Sequence, residues 1–403
     1  MHQTAVSSSS GGTAVEAVFL SSYPPRECGI ATFTKDLVDE YERVSHVSPS
    51  VFAIEEPAAP ERKYDDRVVG HLIQDDRASY RSVAVAIDAH PAAVLSIQHE
   101  YGLFGGEDGR WLLDLLEAVR KPTTVSLHTV LPEPSAEHRD LARRICERAD
   151  AVVVMSETGR SILADRYDID PEKLHLIHHG VPDVPFRATG ALKAELGLGD
   201  RPTISTFGLI SRGKGLEYAI DAMRAVAKRH PEARYLILGQ THPGVRRFEG
   251  ESYRASLQAR IAEYGLEANV VLVDRYLAFD ELLQYLGATD IYLTPYINPD
   301  QIVSGTLAYA MGCGKAIVST PYLYARELLA HERGFLAPFR DSEAIAQRLI
   351  ALLDDPLLRR ATERRAYRFG RAMTWPHVAH EYAALFRELA PEAAPMPVLS
   401  LPA

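Results

Sequence analysis

The sequence predicts an α/β protein built from two successive Rossmann-like domains, each with a doubly wound, mostly parallel sheet. Its 403 residues exceed the length at which a single hydrophobic core usually stops growing. Short β-branched or apolar runs alternate with longer amphipathic stretches at helical spacing, which is typical of βαβ units. The alternation pauses near residues 183–200 and then starts again. Because ligands of such sheets lie at the carboxyl ends of the strands, we expect the two domains to face a central cleft.

Eleven short runs are predicted to be strands, six before the pause and five after it. The six are residues 14–22, 48–54, 92–98, 123–128, 151–156 and 173–180, and the five are residues 201–210, 233–240, 269–277, 289–296 and 314–320. Tails at 1–14 and 391–403 are expected to be loose, because they are rich in Ser and Gly or in Pro and Ala. The predicted domains are therefore 15–190 and 191–374, followed by a helix at 375–390 that packs back on the first domain.

The composition argues against several classes of protein. A net charge of −10 disfavours binding of nucleic acid or an anionic membrane through a broad basic surface. Cys28, Cys146 and Cys313 lie far apart, so neither a disulfide framework nor a zinc site is expected, and a reducing cytoplasm fits best. The N-terminus lacks the apolar core of a signal peptide, and no run of about 18 apolar residues occurs, so no membrane insertion is expected. The sequence leaves a homo-oligomer open.

A strand–loop–helix junction at residues 21–41 is the first candidate site. Two prolines predict an extended turn, and Gly29 precedes a helix that is expected to begin near Thr32. A residue without a side chain lets the backbone N–H groups of the loop, including that of Ile30, approach an anion at the positive end of the helix. The alternative is an ordinary junction that binds nothing.

A basic loop within residues 205–223 is the second candidate. The preceding strand ends at Gly208, the loop carries Arg212 and Lys214, and an amphipathic helix follows. Two cations two positions apart in one loop, beside a helix N-terminus, suit a diphosphate. The GxxxxGK[ST] spacing of a P-loop is absent. The alternative is a solvated basic loop.

The third candidate is a helix start within residues 295–321. Ser304, Gly305 and Thr306 follow a loop of Pro, Asn and Asp residues and begin a short helix. Ser and Thr at such a position cap the helix, and the first turn also presents unpaired N–H groups to an anion. Capping for stability alone is the alternative.

Two histidine loops follow strands of the first domain and are predicted to point toward the same cleft. One contains His99, Glu100 and Tyr101, and the other begins at His128. A lone histidine is more often structural, whereas two at consecutive strand ends favour a functional role. The pair at 178–179 is less favoured, because it ends a strand in a turn. No His/Asp/Glu cluster has metal-ligand spacing, and no GxSxG nucleophile motif occurs.

Taken together, residues 15–390 resemble the family 4 retaining glycosyltransferases, which have the GT-B fold. The resemblance is carried by the loop at 28–31, by the His128 strand end and by four longer segments. These are residues 156–181, GLISRGKG at 208–215, SGTLAYAMGCGKAIVST at 304–320 and residues 325–341. The subgroup it resembles most is a bacterial mannosyltransferase-like branch with PPRECGIATFT-type sequences.

The resemblance implies a donor site that draws on both domains. Arg212 and Lys214 match the family's basic pair on the donor diphosphate. Ser304–Thr306 match the helix start that also holds the phosphates, and Gly29 with Ile30 matches the loop of the opposite domain. The loops that would select the nucleotide base contain Gln240, Arg275 and Tyr276.

The resemblance also implies where the acceptor binds. His128 matches a first-domain histidine near the transferred sugar. His99, Glu100 and Tyr101 are expected to contact the acceptor from the neighbouring loop.

One departure from the family pattern concerns two glutamates eight positions apart. Gln301 and Tyr309 stand at those positions here. Tyrosine at the second position also occurs in the similar bacterial glycogen synthases, so donor binding is compatible with it. Gln301 keeps hydrogen-bonding capacity but lacks the negative charge, which puts in doubt any mechanism that requires a carboxylate there.

The resemblance implies an enzyme that transfers a hexose, mannose or glucose, with retention of configuration. The donor would be a GDP-, UDP- or ADP-hexose, the acceptor a sugar or other small molecule, and no metal or other cofactor is expected. Because negative charge develops on the departing phosphate, Arg212 and Lys214 are the expected catalytic residues, together with His128 and Gln301. The alternatives are a retaining sugar phosphorylase on the same fold, a nucleotide-sugar epimerase and a non-catalytic nucleotide-sugar-binding protein.

Overall fold

The computed structural model describes residues 14–56 and 62–390. Within those ranges thirteen strands form two sheets, and every strand pair whose register is known is parallel. The predicted tails at 1–14 and 391–403 lie, except for Ala14, outside the described residues.

The first sheet has seven strands in the order β3-β2-β1-β4-β5-β6-β7. Its strands are β1 Ala17–Ser21, β2 Ser50–Glu55, β3 Val68–Ile73, β4 Val94–His99, β5 Thr123–Leu127, β6 Ala151–Val154 and β7 Leu174–Leu176. The helices of this stretch of chain are α1 Gly29–Ser45, α2 Arg77–Ala89, α3 Leu112–Ala118, α4 Ala136–Arg148 and α5 Glu157–Tyr167. The direction of winding reverses between β1 and β4, as in a doubly wound sheet.

The second sheet has six strands in the order β10-β9-β8-β11-β12-β13, and its winding reverses between β8 and β11. Its strands are β8 Thr203–Phe207, β9 Arg234–Leu238, β10 Val270–Val273, β11 Ile291–Thr294, β12 Ala316–Ser319 and β13 Phe335–Leu336. The helices from residue 190 onward are α6 Gly190–Glu195, α7 Leu216–Arg229, α8 Pro243–Glu249, α9 Ser252–Glu263, α10 Phe279–Ala288, α11 Gly305–Gly312, α12 Leu323–Leu328, α13 Ser342–Asp354, α14 Pro356–Gly370 and α15 Trp375–Leu389.

The central strands are covered on both faces. All residues of β1 and of β8 are buried, as expected for parallel strands between two layers of helices. Along β11, Ile291 and Leu293 belong to the cluster formed with α7, α9 and α13, whereas Tyr292 belongs to the cluster formed with α10, α11, α12 and α14. This alternation places apolar side chains on both faces of one strand, which is why the sequence shows continuous apolar runs rather than alternation.

Two strands and one helix boundary differ from the sequence-based expectation. The strand β3 was not expected, because Gly70 and His71 interrupt its apolar run and most of its residues are only half-buried or exposed. The strand β13 has two residues, too few to give a periodic signal. Helix α1 begins at Gly29, three residues before the predicted start.

The chain divides into two compact units. One contains the described residues up to Ser126, residues 140–153 and the chain from Ala379 onward, and the other contains residues 127–139 and 154–378. The predicted domains 15–190 and 191–374 divide the chain differently at 127–139 and at 154–190, and they stay a prediction.

The C-terminal helix α15 contributes to the core of the first unit. The ring of Phe386 is fully buried and lies 6.0 Å from that of Phe19 and 5.4 Å from that of Tyr41, measured between ring centres. The Tyr382 hydroxyl is hydrogen-bonded to the Ser126 hydroxyl at 2.9 Å.

Candidate functional site

The carboxyl edge of the second sheet, at its switch point, brings together three segments of chain. Gly208 follows β8, Pro295 and Tyr296 follow the neighbouring strand β11, and helix α11 begins ten residues farther on. At a switch point the loops after adjacent strands run to opposite sides, which leaves a crevice where ligands of doubly wound sheets bind. The polar groups of these loops therefore form the candidate site.

Gly208 is the point at which these segments meet. Its φ is +124°, a backbone conformation that L side chains rarely adopt. A Cβ placed there would lie 3.3 Å from the Thr306 methyl carbon and 3.5 Å from Lys214 Nζ. Gly208, Lys214 and Thr306, all predicted donor-binding residues, are thus brought into one cluster.

Lys214 ends a short 3-10 turn, Arg212–Lys214, that precedes α7. Its Nζ donates a hydrogen bond of 2.6 Å to the Tyr296 hydroxyl and lies 4.1 Å from the centre of the Tyr296 ring. Within the described part of the chain this ammonium has no carboxylate partner. It is therefore a half-buried cation held by a phenol, with its charge available to an anion.

Arg212 is directed elsewhere. Its Nε donates to Glu249 Oε2 at 3.1 Å, and its guanidinium lies 5.2 Å from the centre of the Tyr253 ring. The side chain is 59% exposed, so this ion pair contributes little to stability and can be exchanged for a ligand at small cost. The recorded contacts of Arg212 are thus with Glu249 and Tyr253, and its role at the donor stays a prediction.

The start of α11 supplies hydroxyl groups to the cluster. Ser304 caps the helix, and its Oγ accepts a 3.3 Å hydrogen bond from the Leu307 N–H. Thr306 Oγ1 lies 2.6 Å from the Tyr296 hydroxyl and 3.2 Å from Ser304 Oγ. The first N–H groups of a helix have no partner within it, so Gly305 and Thr306 also offer backbone donors beside Lys214.

The two positions that depart from the family pattern flank this helix start. The Gln301 side-chain amide donates to the Val303 carbonyl at 3.0 Å, within its own loop. Tyr309 is 7% exposed, and its ring packs against those of Phe207 and Phe279, at 6.2 and 6.4 Å between ring centres. Neither side chain brings a negative charge to the cluster at Gly208.

His179, which the sequence did not favour, lies against the start of α11. A Cβ added at Gly305 would lie 2.8 Å from His179 Nε2. His179 Nδ1 donates to the Gly180 carbonyl at 2.8 Å, and burial lowers the pKa of the imidazole to about 4. The structure thus places an uncharged histidine at this helix start, through a tertiary contact that spacing in the sequence does not reveal.

The residues predicted to select the base lie in the loops after β9 and β10. The Gln240 carbonyl accepts a 2.8 Å hydrogen bond from the Ile210 N–H. Arg275 forms a two-pronged ion pair with Glu281, which raises the pKa of the guanidinium and lowers that of the carboxyl. Tyr276 is half exposed.

The candidates of the first domain lie at the carboxyl edge of its sheet or just beyond it. Helix α1 begins at Gly29, where an added Cβ would have no other atom within 4 Å. The next residue, Ile30, is half-buried. Glu100 accepts from the Tyr101 N–H at 3.0 Å, and His128, half-buried, directly follows β5. These placements agree with loops at strand ends, and their roles stay a prediction.

His99 ends β4 and is the most enclosed of these candidates. It is 1% exposed, its ring stacks on Phe104 at 5.9 Å, and burial lowers its pKa to about 4. Neither ring nitrogen has a hydrogen-bond partner among the described residues. Enclosure of this kind keeps the imidazole neutral.

Residues 14–56 and 62–390 contain neither a metal-binding cluster nor a membrane-spanning helix. No group of three or more His, Cys, Asp or Glu side chains is placed to hold a metal ion there. No helix in those ranges is both long and apolar enough to cross a bilayer.

Two known family models match the sequence of this chain. Residues 28–183 match the family model described as Glycosyltransferase Family 4, and residues 201–355 match the model described as Glycosyl transferases group 1. Together the two matches span more than half of the chain. The chain is a family 4 glycosyltransferase. The predicted family and class of enzyme are confirmed.

Curated relatives of this family 4 glycosyltransferase include two from Corynebacterium glutamicum. A D-inositol 3-phosphate glycosyltransferase of strain R is 26% identical over 72% of this chain and 71% of its own. A GDP-mannose-dependent monoacylated alpha-(1-6)-phosphatidylinositol monomannoside mannosyltransferase of strain ATCC 13032 is 23% identical over 85% of this chain and 90% of its own.

Among solved structures, HepE from Anabaena, determined in complex with UDP and glucose, superposes with a TM-score of 0.72. The likeness covers 93% of this chain and all of that one at 16% identity. At that identity it shows the fold alone. The predicted GT-B class, with two Rossmann-like domains, is confirmed.

Proposed function

We propose that this glycosyltransferase moves a hexose, mannose or glucose, with retention from a nucleoside diphosphate sugar to a sugar or other small-molecule acceptor. The observation that carries the proposal is the convergence of the Lys214 ammonium with the start of α11 beside Gly208. A cation without a carboxylate partner, two hydroxyls and the free N–H groups of a helix start suit the two linked phosphates of such a donor.

These groups would act on the leaving group. Cleavage of the bond between the sugar C1 and the phosphate oxygen builds negative charge on the diphosphate while the sugar becomes oxocarbenium-like. Donors fixed where that charge develops lower the barrier, because they need no reorganisation at the moment of reaction. Lys214 is fixed in this way by its hydrogen bond to Tyr296.

Retention without a nucleophile from the protein follows if the acceptor attacks from the face that the phosphate leaves. The acceptor hydroxyl forms the new bond to C1, the bond from C1 to the phosphate oxygen breaks, and the hydroxyl proton passes to the departing phosphate. No carboxylate is needed in this step, so it is compatible with Gln301 and Tyr309 at the two positions where the family typically has glutamate.

The names of two relatives bear on which nucleotide and which sugar the donor carries. The corynebacterial mannosyltransferase is named for GDP-mannose, and HepE was solved with UDP. Either base would face the loops after β9 and β10, where Gln240, Arg275 and Tyr276 lie. We therefore propose a GDP-, UDP- or ADP-hexose as donor, with no metal required.

Thermal unfolding in the presence of GDP, UDP, ADP and the corresponding hexose donors tests the proposal. A nucleotide at about 100 times its dissociation constant stabilises the folded state by about 2.7 kcal/mol, which is readily measured as a rise in melting temperature. The nucleotide that stabilises most then selects the donor for assays with candidate acceptors, in which NMR of the product reports the anomeric configuration.

Failure of all three nucleotides to shift the melting temperature would contradict donor binding. Binding without transfer to any acceptor would favour a non-catalytic binding protein. Release of sugar 1-phosphate with inorganic phosphate as co-substrate would instead identify a phosphorylase.

A further inference from the structure

We infer that Tyr296 is a positioning residue, whose hydroxyl orients the Lys214 ammonium and the Thr306 hydroxyl toward the terminal phosphate of the donor. The inference rests on the proposed function, because it concerns the same cluster at Gly208. Tyr296 is not one of the residues singled out by sequence motifs.

The ring of Tyr296 is held rigidly. It is 2% exposed and stacks on Tyr322 with 5.5 Å between ring centres and 15° between ring planes. The backbone carbonyl of Tyr296 accepts a hydrogen bond from the hydroxyl of Thr320, which follows β12. This bond fixes the backbone at Tyr296. A phenol anchored in this way presents its oxygen at a defined position.

One hydrogen bond of that oxygen has a direction fixed by chemistry. An ammonium can only donate, so the Tyr296 oxygen accepts from Lys214 Nζ at 2.6 Å. The Tyr296 and Thr306 hydroxyls share a second bond of 2.6 Å, which either can donate, and the arrangement we infer has the phenol as donor. Thr306 Oγ1 then accepts, and its own proton can point to Ser304 Oγ at 3.2 Å or to an incoming phosphate oxygen.

This series of hydrogen bonds places two donors side by side, the Lys214 ammonium and the Thr306 hydroxyl. With the phenol as donor to Thr306, the Thr306 hydroxyl can itself donate to a phosphate beside Lys214. The long lysine side chain is held in one conformation, so less rotamer entropy is lost when the phosphate binds. Lys214 also keeps its contact with the face of the ring, at 4.1 Å from the ring centre, and that contact does not depend on the hydroxyl.

The conservative variant Tyr296→Phe therefore separates the hydroxyl from the ring. It leaves the stacking on Tyr322 and the cation–π contact in place and removes only the link between Lys214 and Thr306. Tyr41→Phe is the control, because Tyr41 is also fully buried and its hydroxyl donates to the Val15 carbonyl, in the first unit.

Isothermal titration calorimetry of both variants with a nucleoside diphosphate and the matching monophosphate tests the inference. The base is the one that stabilises the unaltered protein most. We expect Tyr296→Phe to weaken diphosphate binding roughly ten-fold and monophosphate binding by less than about two-fold, because the lost contacts serve the terminal phosphate. Tyr41→Phe should change neither affinity by more than about two-fold.

Each other outcome overturns the inference. Equal weakening of both nucleotides by Tyr296→Phe, or a fall in melting temperature with unchanged preference for the diphosphate, would indicate a purely structural tyrosine. Unchanged binding of both nucleotides would show that the hydroxyl positions nothing. If the unaltered protein binds no nucleoside diphosphate, the proposed function itself fails, which is distinguishable from failure of the tyrosine alone.

Discussion

At the scale of single residues, the chemistry of the candidate site depends on a lysine whose charge is not neutralised by a neighbour. Lys214 is held by a phenol and a ring face, and within the described ranges no carboxylate competes for it. Arg212, two residues earlier, is already paired with Glu249. The two cations of one loop therefore differ in environment, and we propose that Lys214 acts on the leaving group.

Replacement of Lys214 by alanine should lower turnover at saturating donor by on the order of 100-fold. A unit charge about 4 Å from the developing charge contributes roughly 4 kcal/mol at an effective dielectric of about 20, and part of that is lost to solvent at a half-buried site. Lys228→Ala, which removes an exposed lysine in the last turn of α7, is the matched control. Near-normal turnover of Lys214→Ala would remove the basis of the proposed mechanism.

Two helix caps of similar geometry separate binding from stability. Ser304 caps α11 at the candidate site, and Asp341 caps α13 through a 2.9 Å hydrogen bond from the Ala344 N–H. Alanine at either position should lower the free energy of unfolding by about 1 kcal/mol. Only Ser304→Ala should also weaken nucleoside diphosphate binding, measured by calorimetry. Equal affinities of the two variants would mean that Ser304 serves as a cap alone.

Two buried histidines should make stability depend on pH. Burial lowers the folded-state pKa of His99 and of His179 to about 4, whereas an unfolded histidine titrates near 6.5. Between these values the unfolded state binds more protons, so stability falls as the pH falls from about 6.5 toward 4, by up to about 1.4 kcal/mol per pH unit for each histidine.

Urea unfolding at two pH values, one above 6.5 and one near 5, measures this dependence. His99→Phe keeps a buried ring and should remove a large part of the difference between the two pH values. His380→Gln, on the exposed side of α15, should leave the difference unchanged. If His99→Phe shows the full difference of the unaltered protein, His99 is not held neutral in the folded state.

At the scale of secondary-structure elements, one carboxylate joins two helices that are distant in the sequence. Glu327 on α12 accepts hydrogen bonds from the Glu157 and Thr158 N–H groups at 2.9 Å each, and from the Thr158 hydroxyl at 2.7 Å. A carboxylate at the first turn of α5 is favourable for the helix dipole as well as for its unpaired donors. Helices α5 and α12 are thereby joined within the second unit.

The last helix, α15, should contribute substantially to the stability of the first unit. Phe386 is fully buried against Phe19 and Tyr41, so Phe386→Ala should cost about 3–5 kcal/mol in free energy of unfolding. Leu357→Ala, at a side chain that is 84% exposed, should change it by less than about 0.5 kcal/mol. Urea unfolding monitored by circular dichroism measures both. A small loss for Phe386→Ala would show that α15 docks only weakly.

At the scale of the whole molecule, the sequence predicts both sheets because their central strands are continuous apolar runs bounded by turns. It misses β3, which Gly70 and His71 interrupt, and β13, which is too short for a pattern. Loops at the ends of strands could also be predicted, since parallel strands bring their carboxyl ends to one edge. Lys214, Ser304 and Thr306 were found in that way.

The remaining site residues required tertiary information. His179 reaches Gly305 across more than a hundred residues of chain, and no local spacing encodes that contact. Tyr296 is the last residue of a predicted strand, a position that could have drawn attention to it, but only the folded chain shows that its hydroxyl joins Lys214 to Thr306. The pairing of Arg212 with Glu249 is likewise a contact between separate elements.

A crystal structure with the nucleoside diphosphate that stabilises the protein most is the measurement closest to the central claim. We expect an oxygen of the terminal phosphate within about 3 Å of both Lys214 Nζ and Thr306 Oγ1, beside Gly208. A diphosphate bound elsewhere, with Lys214 and Thr306 still bonded only to Tyr296 and Ser304, would contradict it.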